Sequence, residues 1–129
     1  MKPRILVMDD DASIRRILQL MLTKLGYDVV TVPSGEEALA CYELAMKSET
    51  PYAAVLLDLT VHKGMGGDEV LPKLKALNPD LYSIVASGSV SALAARSYRA
   101  RGYTDALAKP FRIQDVMKCL EKLTAQPAC

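Results

Sequence analysis

The chain has 129 residues, 50% hydrophobic and 24% charged, with no tryptophan and a formal net charge of +1. At this length roughly two-thirds of the unfolded surface can be buried, so one core forms without staples and two domains of ordinary size do not fit. The near-neutral charge argues against a general nucleic-acid binder, which would carry a basic excess over the phosphate backbone.

Apolar runs are too short for a membrane span. The run behind Lys2-Pro3-Arg4 stops after Met8 in three aspartates, too soon for the core of a secretion signal. Cys41, Cys119 and Cys129 have no CxxC spacing and an odd count, which suggests neither a zinc site nor a disulfide framework and fits a reducing, cytoplasmic setting.

Five strand–helix units follow one another. Ile5 to Met8 is a short buried strand, and Ile14, Ile17, Leu18, Met21, Leu22 and Leu25 form the stripe of an amphipathic helix that Gly26 stops. Tyr27 to Val32 is a second strand, and the helix after Pro33-Ser34-Gly35 buries Ala38, Leu39, Tyr42 and Met46. Ala53 to Leu57 is apolar on both faces, as a central strand of a covered parallel sheet should be, and Asp58 ends it. A loop with Gly64, Gly66 and Gly67 leads to a helix with Val70, Leu71, Leu74 and Leu77 inward; Pro72 places that helix's start near Gly67 or Asp68, since proline is tolerated in a first turn. Tyr82 to Ala86 is the fourth strand, and a helix from about Ser91 to Arg101 turns Leu93, Ala94 and Tyr98 inward. Tyr103 to Ala108 is the fifth strand, and Ile113, Val116, Met117, Leu120 and Leu123 stripe the last helix. The alternation predicts a parallel sheet with right-handed crossovers and helices on both faces, whose site lies beyond the carboxyl ends of the strands.

At those ends stand Asp9, Asp10 and Asp11 after strand one, Asp58 after strand three, Ser87-Gly88 after strand four and Lys109-Pro110 after strand five. Two carboxylates about 4 Å apart repel by roughly 4 kcal/mol at an effective dielectric of 20, so their convergence calls for a cation. Oxygen-only donors in small number suit Mg²⁺, which keeps waters and shares its shell with a phosphoryl group. One aspartate of the first three caps the following helix. A lone His62 in the loop carries no role.

Together Ile5 to Asp11, Val55-Leu56-Leu57-Asp58-Leu59, Ile84-Val85-Ala86-Ser87-Gly88 and Ala108-Lys109-Pro110-Phe111 are specific. The chain resembles the receiver domain of two-component response regulators from about Arg4 to Leu123. The resemblance implies a flavodoxin-like, doubly wound five-stranded sheet of order 2-1-3-4-5. Asp58 would be the nucleophile that takes a phosphoryl group from a phosphohistidine on a histidine kinase or phosphotransfer domain. Asp10 would bind Mg²⁺ directly and Asp9 mainly through water, with Asp58 and the Thr60 backbone carbonyl completing the set. Lys109, after a cis peptide bond to Pro110, would aim its ammonium at Asp58, and Ser87 would donate to a phosphoryl oxygen. Such a protein is not a conventional enzyme; it catalyses its own Mg²⁺-dependent aspartyl phosphorylation and dephosphorylation.

Residues 1–129 then form one receiver with a core at about 4–123 and a tail at 124–129, and output belongs to an effector or an attached domain. Residues 89–129 carry seven basic and three acidic side chains, against nine and twelve before them; Arg96, Arg99, Arg101, Arg112, Lys118 and Lys122 fall where the family's signalling face lies. Two departures stand out. The loop from Val61 to Gly67 is one residue longer than in most relatives and lacks a proline, and Ala106 replaces an aromatic that often rotates on activation. Both resemble receivers attached to hybrid sensor kinases, and the altered loop motivates an alternative, an interaction module that is never phosphorylated. An aspartate-nucleophile phosphatase is disfavoured because Thr60 cannot serve as the acid two positions on, and a flavin module because three aspartates would repel its phosphate.

Overall fold

The computed structural model describes residues 2–59, 61, 64–88 and 95–125; for 95–97 and 124–125 it describes the backbone alone. The elements are β1 (Arg4–Met8), α1 (Ala12–Lys24), β2 (Asp28–Val32), α2 (Gly35–Met46), β3 (Tyr52–Asp58), α3 (Gly67–Leu77), β4 (Ser83–Ser87), α4 (Ala95–Ala100), β5 (Asp105–Ala108) and α5 (Ile113–Ala125). All pairings are parallel and the order is β2-β1-β3-β4-β5, the flavodoxin-like arrangement expected.

Successive strand side chains point to opposite faces, and each face has its own core. Leu6, Met8, Val55, Leu57 and Val85 pack with Ala38 and Tyr42 of α2 and Val70, Leu71 and Leu74 of α3. Ile5, Val7, Ala54, Leu56, Ile84 and Ala86 pack with Leu18 and Leu22 of α1 and Val116 and Leu120 of α5. β1 and β3 therefore lie between two helical layers, which fixes their carboxyl ends, and the residues that follow them, at the rim of the core.

The helical stripes are narrower than the sequence reading. Ile17, Met46, Leu77 and Met117, all expected inside, are solvent-exposed. Ile17 and Met117 each sit one residue, about 100° of turn, from the central buried positions Leu18 and Val116, while Met46 and Leu77 are the last residues of their helices. Gly26 ends α1 as expected, with φ +98° in the region side chains resist. β5 begins at Asp105 and not Tyr103, because the Tyr103 amide donates to the Tyr98 carbonyl and closes α4. Leu93 and Ala94, and the start of that helix at Ser91, lie outside the described residues; Tyr98 is buried.

α3 starts at Gly67, but Pro72 falls in its second turn and not its first. There it cannot donate to the Asp68 carbonyl. Pro72 is exposed, so Pro72→Ala should raise stability by about 1 kcal/mol, the regained bond outweighing proline's restraint of the unfolded chain; urea unfolding measures the change.

Candidate functional site

β1 delivers Asp9 at the edge of the core, where it is fully buried. Its Oδ1 accepts from the Asp11 amide at 2.9 Å, and its Oδ2 accepts from the Lys109 ammonium at 2.7 Å. Asp11 is the aspartate that caps α1, accepting from the amides of Ser13 at 2.8 Å and Ile14 at 3.4 Å. Arg15, one turn along, donates to the Asp9 carbonyl at 2.7 Å. Asp10 between them is half-buried. β3 ends in Asp58, also buried, whose Oδ1 lies 3.2 Å from Lys109 Nζ. Ser87 closes β4 and is buried, and its carbonyl accepts from the Lys109 amide at 2.9 Å. The Lys109–Pro110 bond is cis, as the resemblance implied.

The expected ammonium–Asp58 contact is present, but Asp9 is the nearer partner, which the sequence did not indicate. Burial by itself pulls the Lys109 pKa down; the hydrogen bond and charge of Asp9, then those of Asp58, outweigh it and hold the ammonium above its ordinary value. One cation thus sits between two buried carboxylates. Asp9, Asp10 and Asp58 each offer an oxygen within 4.8 Å of the others. This all-oxygen, multiply anionic donor set has the chemistry that a small hard divalent cation requires. Thr60, expected to add its carbonyl, lies outside the described residues, as does His62.

The loop before α3 holds contacts that sequence reasoning missed. The Met65 amide donates to Glu36 Oε1 at 2.8 Å, and the Gly35 amide donates to the Met65 carbonyl at 2.8 Å. On the other side, the buried Tyr103 hydroxyl donates to Asp68 Oδ1 at 3.0 Å, and Arg101 pairs with Asp68 Oδ2 at 3.3 Å. Arg101 is therefore partly turned inward, while Arg99, Arg112, Lys118 and Lys122 are exposed; the Arg96 side chain lies outside the described residues. Burial pushes the Tyr103 hydroxyl's pKa up, reinforced by the Asp68 charge, so it stays a donor at neutral pH. Ala106 packs on the α2–α3 core; on the opposite face of the sheet an open cleft of about 540 Å³ lies between β5 and α5, lined by Leu107, Ala108, Cys119 and charged side chains of α5.

Comparison with known proteins adds independent observations. The family model for the response regulator receiver domain matches residues 5–121. A probable transcriptional regulator, ycf27 of Pyropia yezoensis, is 37% identical over 95% of this chain and 51% of its own length. The DNA-binding transcriptional regulator NtrC of Salmonella typhimurium is 35% identical over 90% of this chain and 24% of its own length. Among solved structures, a CheY-like receiver domain protein of Methanospirillum hungatei aligns at TM-score 0.81 with 28% identity, covering 96% of this chain and 95% of that one. The response regulator TrrA of Thermotoga maritima, solved in complex with Mg²⁺–BeF, aligns at TM-score 0.80 with 29% identity over 95% and 99% of the two chains. The chain spans about half the length of the first curated relatives. No helix among the described residues is long and apolar enough to cross a membrane.

Proposed function

The chain belongs to the response regulator receiver family of two-component signalling, and from that premise we propose that Asp58 is its phosphoacceptor. The observation that carries this reading is one ammonium, Lys109 Nζ, held 2.7 Å from Asp9 and 3.2 Å from Asp58, with Asp10 completing a three-carboxylate cluster. An Asp58 carboxylate oxygen attacks the phosphorus of a phosphohistidine on a histidine kinase or phosphotransfer domain. The P–N bond breaks, its electron pair returns to the imidazole, and an aspartyl phosphate forms. Phosphoryl transfer needs in-line positioning and neutralised equatorial oxygens. Lys109 supplies one positive charge at the position the phosphoryl oxygens would occupy.

Receivers bind Mg²⁺ at an acidic pocket. Here Asp9, Asp10, Asp58 and the Thr60 carbonyl would hold it; bound, it supplies the remaining charge neutralisation. Ser87, at the end of the neighbouring strand, donates its hydroxyl to a phosphoryl oxygen, and the adjacent Gly88 leaves room beside it. The added charge and acceptor oxygens then bias the segment after β4, and the exposed Arg99, Arg112, Lys118 and Lys122 form the face a cytoplasmic partner reads. Residues 4–123 are the receiver proper. The relatives are transcriptional regulators longer than this chain, which favours a separate or attached output of that kind over a hybrid kinase.

The test is incubation with acetyl phosphate, with and without Mg²⁺, followed by intact mass. Wild type should gain one phosphoryl group only with Mg²⁺, and Asp58→Asn none. Absence of the adduct, or its full persistence in the variant, rejects Asp58; a partner that binds both forms equally rejects the switch.

A further inference from the structure

We propose that Glu36 is a positioning residue for the phosphoacceptor site: with the Gly35 amide it clasps Met65 and so holds the β3–α3 loop against the strand end that carries Asp58. The inference rests on the reading of Asp58 above.

Glu36 stands in the first turn of α2, behind the cap Ser34. A carboxylate there ordinarily serves its own helix terminus, yet Oε1 accepts from the Met65 amide, 29 residues away, at 2.8 Å. The Gly35 amide takes up the Met65 carbonyl at the same distance, so both backbone groups of one loop residue are held by α2. The Met65 amide, then Glu36's own amide, keep the Glu36 carboxyl below its ordinary range, with Lys73 adding to the effect; the acceptor is ionised at neutral pH.

The fit around the clasp is close. A Cβ on Gly35 would lie 2.7 Å from the Met65 Cβ and carbonyl oxygen, and one on Gly64, at φ +87°, would lie 2.5 Å from Glu36 Oε1. The contact continues inward. A Cβ on Gly66 would lie 2.7 Å from the Leu59 carbonyl oxygen, and Leu59, Val61 and Met65 all pack on the α2–α3 core. A continuous line of contact thus runs from Glu36 through Met65 and Gly66 to Leu59, the residue after the nucleophile. At its described residues this loop is tied on one side to α2 through Met65 and on the other to the strand end through Gly66.

Glu36→Ala and Glu36→Gln separate positioning from mere surface polarity, because glutamine keeps an acceptor oxygen in the same place. Three quantities are read: exchange of the Met65 amide in metal-free protein, the Mg²⁺ dissociation constant by calorimetry, and the decay of the Asp58 phosphoryl adduct by mass. Glu36→Ala should speed Met65 exchange and weaken Mg²⁺ binding by roughly 10-fold, the scale seen when a group supporting a metal ligand is removed, with a changed decay rate. Glu36→Gln should restore all three to within about 2-fold of wild type. Unchanged Met65 exchange in Glu36→Ala overturns the clasp; faster exchange with wild-type Mg²⁺ affinity and decay overturns its positioning role. A wild-type chain that takes up neither Mg²⁺ nor phosphoryl overturns the reading of Asp58 and the positioning role with it, and is told apart because it shows before any substitution.

Discussion

Lys109→Met should destabilise the metal-free protein by about 3 kcal/mol, the scale for removing one partner of a buried ion pair, and Mg²⁺ should recover most of that loss. The ammonium lies within hydrogen-bonding distance of both Asp9 and Asp58, whose side chains are almost fully buried. Methionine preserves the apolar stem and removes the charge, leaving three carboxylates whose oxygens lie within 4.8 Å of one another. Their repulsion then loses the Lys109 charge that offset it. A divalent ion that binds only the folded state adds about 2.7 kcal/mol at 100 times its dissociation constant. The variant should bind Mg²⁺ more tightly than wild type, because the ammonium and the metal compete for the same oxygens. It should nevertheless take phosphoryl poorly, since the charge that offsets the equatorial oxygens is gone. Thermal unfolding with and without Mg²⁺, together with calorimetric titration, measures both effects. Equal or weaker Mg²⁺ affinity in the variant would show that the ammonium supports the metal site and does not compete with it.

That pairing also marks how far the sequence could be read. Short apolar strand runs and helical stripes are local patterns, and they located all five units, the order of the sheet following from the family resemblance. The polar residues at the strand ends were legible because a charge directly after a buried strand, as at Asp58, must have a partner. Which partner was less legible: Asp9 and Lys109 are 100 residues apart, and only the closed sheet shows that Asp9 takes the shorter bond. The same holds for Glu36 with Met65 and for Tyr103 with Asp68, whose separations of 29 and 35 residues leave no periodic trace. Ile17 and Met117 failed for a different reason. An apolar side chain at the margin of a stripe matches the helical period as well as one at its centre, and the neighbouring helices decide how wide the buried face is. Loop 61–67 departed from the family pattern, so the resemblance offered no account of it; among its described residues, Met65 is held by α2.

Gly67→Ala tests the closest packing behind the nucleophile, and its sign separates local propensity from tertiary fit. Gly67 is the first residue of α3, and alanine in a helix is ordinarily favoured over glycine by up to about 1 kcal/mol. In this fold the added Cβ would lie 2.5 Å from the Tyr103 hydroxyl oxygen, 3.1 Å from the Asp58 carbonyl oxygen and 3.4 Å from the Leu57 Cβ. None of these yields cheaply. Tyr103 is 3% exposed, its hydroxyl is hydrogen-bonded to Asp68, and the other two atoms belong to the central strand. The substitution should therefore cost about 2 kcal/mol, the usual price of overpacking, and disturb the backbone that presents Asp58. Tyr103→Phe removes the most crowded atom. Alone it should cost about 1 kcal/mol for the lost hydrogen bond, while Asp68 keeps its Arg101 partner. In the phenylalanine background Gly67→Ala should be milder by about 1 kcal/mol, a coupling well above the error for independent sites. Urea unfolding of the four proteins closes the cycle. A neutral or stabilising Gly67→Ala, or a cycle without coupling, would mean that α3 can shift away from Tyr103, and that the helix start is not pinned to the strand end bearing Asp58.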